Sequence, residues 1–106
     1  MMIVLFEFEV SPSGKDEYFA LAEALGAELA NVDGFISIER FESRTQPGHF
    51  LSLSVWRDED AIRAWREAKA HRDGQVRGRN GIFERYHIRV AQVVRDYVFA
   101  AVSSAA

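Results

Sequence analysis

Cysteine is absent from all 106 residues, and several chemistries go with it. Disulfides, thiolate zinc sites, iron–sulfur clusters and cysteine nucleophiles all need a sulfur that this chain lacks. A chain without disulfides suits a reducing compartment, so a cytoplasmic location is the expectation. A basic excess is missing too. The 13 Lys and Arg stand against 16 Asp and Glu, a net charge of -3, which speaks against a nucleic-acid partner. Long apolar runs are also wanting. The opening stretch MIVLFEFEV is interrupted by Glu7 and Glu9 and has no basic residues before it. It reads as neither a signal peptide nor a membrane span, and no membrane partner is expected. What is present is an ordinary globular mixture, 48% apolar and 27% charged, in a length that suits one domain with a modest core.

Hydrophobic periodicity divides the chain into six elements. Residues 2–10 are β-branched and aromatic, with apolar even positions throughout and odd positions that change from Ile3 and Leu5 to Glu7 and Glu9. That pattern is a strand with one fully buried face and one face that turns polar along its length. After Ser11-Pro12-Ser13-Gly14, with Ser13 as the expected N-cap, Tyr18, Leu21, Ala22, Leu25, Leu29 and Val32 recur at steps of three and four. This is the buried stripe of a helix that Gly34 stops. Residues 35–43 form a second strand, and Pro47-Gly48 lies in a hairpin loop before a third strand at 49–56. Small Ser52 and Ser54 between large apolar neighbours mark this third strand as central. Asp58 caps a second helix with Ala61, Ile62, Trp65 and Ala68 on its stripe. Residues 71–81, with three glycines and three arginines, are expected as a loop, or as a short helical turn followed by a loop. A long fourth strand covers 82–95.

The order β-α-β-β-α-β implies an α+β, ferredoxin-like fold. Right-handed crossovers place both helices on one face of a four-stranded antiparallel sheet. The opposite face, carrying Ile3 and Leu5, then needs a cover, and packing two sheets face to face gives a homodimer built as a dimeric α/β barrel. The expected division is one domain over 1–97 and a small apolar tail over 98–106, frayed or lying on a partner.

Residues 52–97 carry a recurring set: Trp56 closing the third strand, Asp58 at an acidic helix start, Trp65 inside the second helix, His71 after it, and Tyr86 in the last strand. Together with the strand that follows Gly34, this set resembles the antibiotic-biosynthesis-monooxygenase superfamily over roughly residues 2–97. The resemblance implies the dimeric barrel and a cavity between sheet and helices. It also implies oxygenation that often needs neither metal nor flavin, because an electron-rich substrate reduces oxygen itself once it has lost a proton. No cofactor and no metal are then expected. The substrate expected is a small aromatic, phenol-like molecule. Heme-degrading enzymes belong to the same superfamily, and heme binding is the alternative. Their pattern has an asparagine on strand one, a tryptophan on helix two and a histidine beyond. Trp65 and His71 match two of these, whereas Glu7 falls near the asparagine position, which argues against degradation. A third reading is a non-enzymatic ligand-binding or stress-related dimer.

The candidate bases are His71 and His87, since an imidazole can take a phenol proton near neutral pH. Helix capping for His71 and cross-strand pairing with Glu7 and Glu9 for His87 are the plainer readings. Phe6, Phe8, Tyr18, Trp65 and Tyr86 are the candidate substrate-binding residues, as aromatic walls able to stack on a flat ligand. Each of them could equally be core. His49 reads as a surface loop residue. Arg72, Arg77 and Arg79 read as a solvated basic loop, and the glycines among them match no phosphate-binding fingerprint.

Overall fold

The computed structural model describes residues 1–75 and 83–101. Four strands form the sheet: β1 (Met2–Val10), β2 (Phe35–Glu42), β3 (His49–Trp56) and β4 (Phe83–Gln92). Two helices, α1 (Lys15–Leu29) and α2 (Glu59–Gln75), complete the β-α-β-β-α-β order. The strands lie in the order β2-β3-β1-β4, and every neighbouring pair is antiparallel. The ferredoxin-like fold expected from the periodicity is the fold observed.

Alternation decides which residues meet the helices. Phe8 and Val10 of β1 are buried with Phe50 of β3 and with Tyr18 and Ala22 of α1. At the other end of the sheet, Leu29, Trp56, Ala61 and Ile62 form a second cluster, with Met2, Val4, Leu25, Phe35 and Trp65 packed against it. The even residues of β1 and β3 therefore support the helices. Ile3, Leu5, Glu7 and Glu9 of β1 lie on the bare face, in register with Val55, Leu53, Leu51 and His49 of β3.

Local chemistry sets the element ends, and three differ from expectation; one is β4, which ends at Gln92 and not at residue 95. Pro12–Gly14 forms a single 3-10 turn ahead of α1, with Pro12 at its first position and Gly14, not Ser13, as the cap of the α-helix. Proline suits that position because its fixed φ and missing N–H cost nothing there. At the other helix, α2 does not stop before His71 but runs on to Gln75, so residues 71–75 are helical and not a loop. The Asp58 cap is as expected: its Oδ1 accepts the Ala61 backbone N–H at 2.8 Å.

Gly34 sits where β2 leaves α1 and has φ +85°. A side chain there would be strained, and its Cβ would fall 2.5 Å from the Ala61 Cβ. Gly34 thus lets the start of α2 close on the sheet. Gly26, inside α1, has nothing within 4 Å of where a Cβ would be. Gly34→Ala is therefore expected to cost about 2 kcal/mol or more of stability, from the left-handed backbone and the clash together. Gly26→Ala is expected to add roughly 0.5–1 kcal/mol by favouring the helix. Urea denaturation of the two variants checks both signs.

Candidate functional site

The even residues of β1 and β4 build a row of aromatic rings. Tyr86 meets Phe6 edge-on at 5.6 Å between centroids. Phe6 lies 5.0 Å from Phe8, and Phe8 lies 4.8 Å from Tyr18 and 5.6 Å from Phe50. Exposure falls steeply along the row, from 62% at Tyr86 to 3% at Phe8 and 5% at Tyr18. The row therefore divides by depth. Phe8 and Tyr18 are core beneath α1, while Phe6 and Tyr86 belong to an open floor. Ile88 and Val90 continue that floor along β4, and they are half exposed although they lie on the helix-bearing face. α1 covers β1 and β3, and the first turns of α2 cover Trp56 and its neighbours. Among the described residues, what stays open is an apolar strip on the outer strand.

Trp65 does not join this row. It packs on the Trp56 cluster and faces a groove of about 690 Å³ between the end of α1 and α2, lined also by Val32, Ala61, Ala64 and Ala68. At the mouth of the groove, Arg57 donates to both carboxylate oxygens of Asp33, at 3.1 and 3.2 Å, and to Asp58 at 3.0 Å. Of the five aromatic residues singled out by sequence, the structure brings Phe6 and Tyr86 together on an open surface, buries two, and places Trp65 in a separate recess.

His71 belongs to α2, and its side chain lies outside the described residues, as do Arg77 and Arg79. His87 is on the other face. It is the cross-strand partner of Glu7, and neighbours in a strand point to opposite sides, so His87 and Tyr86 cannot serve one cleft. The bare face carries an ion-pair ladder instead. Arg89 meets Glu7 at 3.3 Å, and His49 Nε2 meets Glu9 at 2.7 Å. His49, read as a surface residue at the loop, opens β3 and is half buried in that ladder. Glu7 is exposed there as well, away from the helix-side floor. Among the described residues no group of His, Asp and Glu is placed to hold a metal ion, and no helix is long and apolar enough to cross a membrane.

One polar element was missed. Arg40 lies on the helix-facing side of β2, opposite buried Ser52, and donates to the Ala22 carbonyl at 3.4 Å. Burial raises the Tyr18 hydroxyl pKa, and the nearby Arg40 charge and its hydrogen bond oppose that shift. Tyr18 therefore stays protonated at neutral pH, and its oxygen accepts from Arg40. The available signal was the register of FISIERFES, in which Arg40 follows Ile38 onto the covered face. Nearby, Ser54 accepts the Trp56 indole N–H at 2.9 Å inside the core.

The chain matches known proteins in sequence and in fold. The antibiotic biosynthesis monooxygenase family model matches residues 1–77. The chain belongs to that family. A relative named jasmonate monooxygenase ABM, from Pyricularia oryzae, is 47% identical over 93 residues. The match covers 88% of this chain and 43% of the relative, so the chain spans less than half the length of that protein. Solved structures share the fold at low identity. A putative antibiotic biosynthesis monooxygenase from Deinococcus radiodurans has a TM-score of 0.76 at 16% identity, over 95% of this chain and all of that one. The heme degrader MhuD of Mycobacterium tuberculosis reaches 0.74 at 15%, over 92% of this chain and all of its own. SnoaB, a cofactor-independent oxygenase from Streptomyces nogalater, reaches 0.66 at 17%, over 90% and 94%.

The acidic pair at the groove mouth makes stability depend on acid. The Ala61 N–H and then Arg57 hold the Asp58 carboxyl below its ordinary value of 3.8, and Arg57 does the same for Asp33. A carboxyl lowered by folding contributes stability above its unfolded value and loses it as pH falls through the folded one. Unfolding is therefore expected to become easier as pH drops below about 4. Asp58→Asn keeps a capping oxygen but removes the titration, so its acid limb should be flatter in a pH series of thermal melts.

Proposed function

We propose that this family member is a cofactor-independent monooxygenase whose substrate, a small aromatic phenol-like molecule, lies on the Phe6–Tyr86–Ile88–Val90 floor. The observation that carries the reading is that floor, in which a tyrosine and two aliphatic side chains stand half open on the covered side of a sheet. An edge-to-face pair at 5.6 Å offers a flat ligand a ring wall, and the aliphatic residues extend the contact. Each further ring stacked there is worth roughly 0.5–1.5 kcal/mol beyond its area.

The chemistry needs little from the protein. A base takes the phenol proton, and the electron-rich anion then reduces oxygen. One oxygen atom bonds to the ring carbon para to the hydroxyl. The other leaves as water with the two hydrogens that the substrate gives up, and the product is a quinone. The substrate supplies all four electrons. His71 on α2 is the base in this reading, since His87 is on the wrong face. The protein's further duties are to orient the ring and exclude water. The relative named for jasmonate adds an apolar carboxylic acid to the candidate substrates.

Oxygen-electrode assays with a panel of phenols unsubstituted para to the hydroxyl, and with jasmonate, test the reading. Phenol-dependent uptake is expected, with Tyr86→Ala raising KM about tenfold and His71→Ala lowering kcat by two orders of magnitude or more. Equal rates for wild type and His71→Ala would remove His71 from the mechanism. Uptake with jasmonate alone would replace the phenol class, and a Soret shift on adding hemin would move the site toward heme.

The same reading pairs two chains. Leu5, Leu51, Leu53 and Val55 lie partly exposed at the centre of the bare face, with the acidic and basic ladder beside them. A face that carries both charge signs around an apolar centre can complement itself across a two-fold axis. Leu53→Asp is expected to convert the dimer to a folded monomer in sedimentation experiments. A variant that remains dimeric would place the interface elsewhere.

A further inference from the structure

One row of side chains crosses the helix-bearing face of the sheet from edge to edge. Arg40 of β2 lies opposite Ser52 of β3, Ser52 opposite Phe6 of β1, and Phe6 opposite Ile88 of β4. Phe6 and Ile88 belong to the apolar floor described above. The other half of the row is polar, although Ser52 is only 9% exposed and Arg40 is partly buried.

Arg40 lacks a counter-charge among the described residues. Its acceptors are the Ala22 carbonyl, at a long 3.4 Å, and the Tyr18 hydroxyl, and both are neutral. No described carboxylate lies within ion-pair distance of it. Glu42 shares its face two residues on, and Glu23 follows Ala22 on α1, but both are exposed. A guanidinium drawn partly out of water without an anion is costly, and proteins pair such groups as a rule. Ser52 has a matching oddity. Its side chain makes no hydrogen bond among the described residues, whereas Ser54 on the same face holds the Trp56 indole. No enclosed side-chain oxygen among the described residues lacks a partner, so the Ser52 hydroxyl borders open space and not packed atoms. Serine is also the smallest side chain of the row. The row is thus lowest at a hydroxyl, with a cation on one side of it and a ring on the other.

We propose that Arg40 and Ser52 bind a carboxylate of the substrate, which makes the molecule taken a cyclic or aromatic acid with its ring on the Phe6 floor and its acid arm across β3. This rests on the floor as the substrate site and supplies what the far end of the molecule meets. A guanidinium fork matches a carboxylate with two parallel N–H···O bonds, and the serine hydroxyl donates a third. Adjoining strands stand about 4.8 Å apart, so carboxyl carbon and ring centre are separated by roughly 5–10 Å, the reach of a short alkyl arm. The bond that the ligand replaces is the long one from Arg40 to Ala22. A neutral molecule of the same shape leaves Arg40 without its anion, so the row selects for the charged acid.

The probes are meta-hydroxyphenylpropanoate and its neutral amide, in which the ring position para to the hydroxyl is free. Calorimetric titration of the full chain near neutral pH is expected to show the acid binding at least about tenfold tighter than the amide. Arg40→Gln is expected to remove that preference by weakening the acid alone. Arg40→Lys keeps the charge but loses the fork, and is expected to retain part of it. Ser52→Ala is expected to weaken the acid by about threefold. It deletes a single oxygen, so it carries the test should Arg40→Gln fail to fold in a thermal melt. An Arg40 that merely holds α1 through Ala22 would lower both ligands together in Arg40→Gln. That result overturns the carboxylate site, as does wild type binding acid and amide equally or binding neither. Oxygen uptake separates the two readings. Acid binding that depends on Arg40, without uptake on any phenol, leaves the carboxylate site and removes the oxygenase. Uptake with plain phenols and no preference for acids does the reverse.

Discussion

Everything in this molecule depends on β1 being gripped on both sides. It is the second inner strand, hydrogen-bonded to β3 and β4 along its whole length, and its two-residue period sorts the chain into two chemistries. Phe6, Phe8 and Val10 face the helices, and Ile3, Leu5, Glu7 and Glu9 face away. A slip of one residue would put two carboxylates under α1 and two phenylalanines on the bare face, at a cost no surface pairing could offset. The register is therefore fixed by burial. The aromatic floor, the ion-pair ladder and the apolar centre of the bare face all inherit their positions from it.

Much of this could be read from the sequence because period survives without coordinates. The strands, the stripe on α1, the Asp58 cap and the sheet order followed from alternation and from the handedness of crossovers. Depth did not follow. Alternation says that Phe6 and Phe8 share a face, but only the placement of α1 makes one of them core and the other floor. The same gap explains Tyr18, an aromatic residue on a helical stripe that reads equally well as pocket wall or as packing. Arg40 was passed over because a charged residue in an edge strand is usually solvated, whereas here it turns under α1 beside Tyr18. The third strand starts at His49 as expected, at once after Gly48, where positive φ closes the hairpin, but alternation did not show that His49 pairs with Glu9.

The end of α2 shows how one residue misleads. Gly74 and the arginines around it look like loop composition. The preceding residues, rich in alanine, glutamate and arginine, are strong helix formers, and propagation through one glycine costs only about 1 kcal/mol. The helix therefore runs to Gln75 and carries His71 within it.

β4 is where the fold is least complete, and its two faces have different needs. As an outer strand it has one neighbour among the described residues, so its stiffness comes from β1 and from whatever covers it. Tyr86 and His87 are adjacent in sequence but serve opposite sides. One looks toward the floor, and the other toward the Glu7–Arg89 rung. In a back-to-back pair that rung would leave bulk water, and the attraction between its charges would grow as the surrounding dielectric falls. A stiffer rung holds β4 against β1, and with it the spacing of Tyr86 from Phe6 on the far side. Substrate contact and chain pairing would then be coupled through a single strand. The coupling needs no moving part, because the two faces share one backbone.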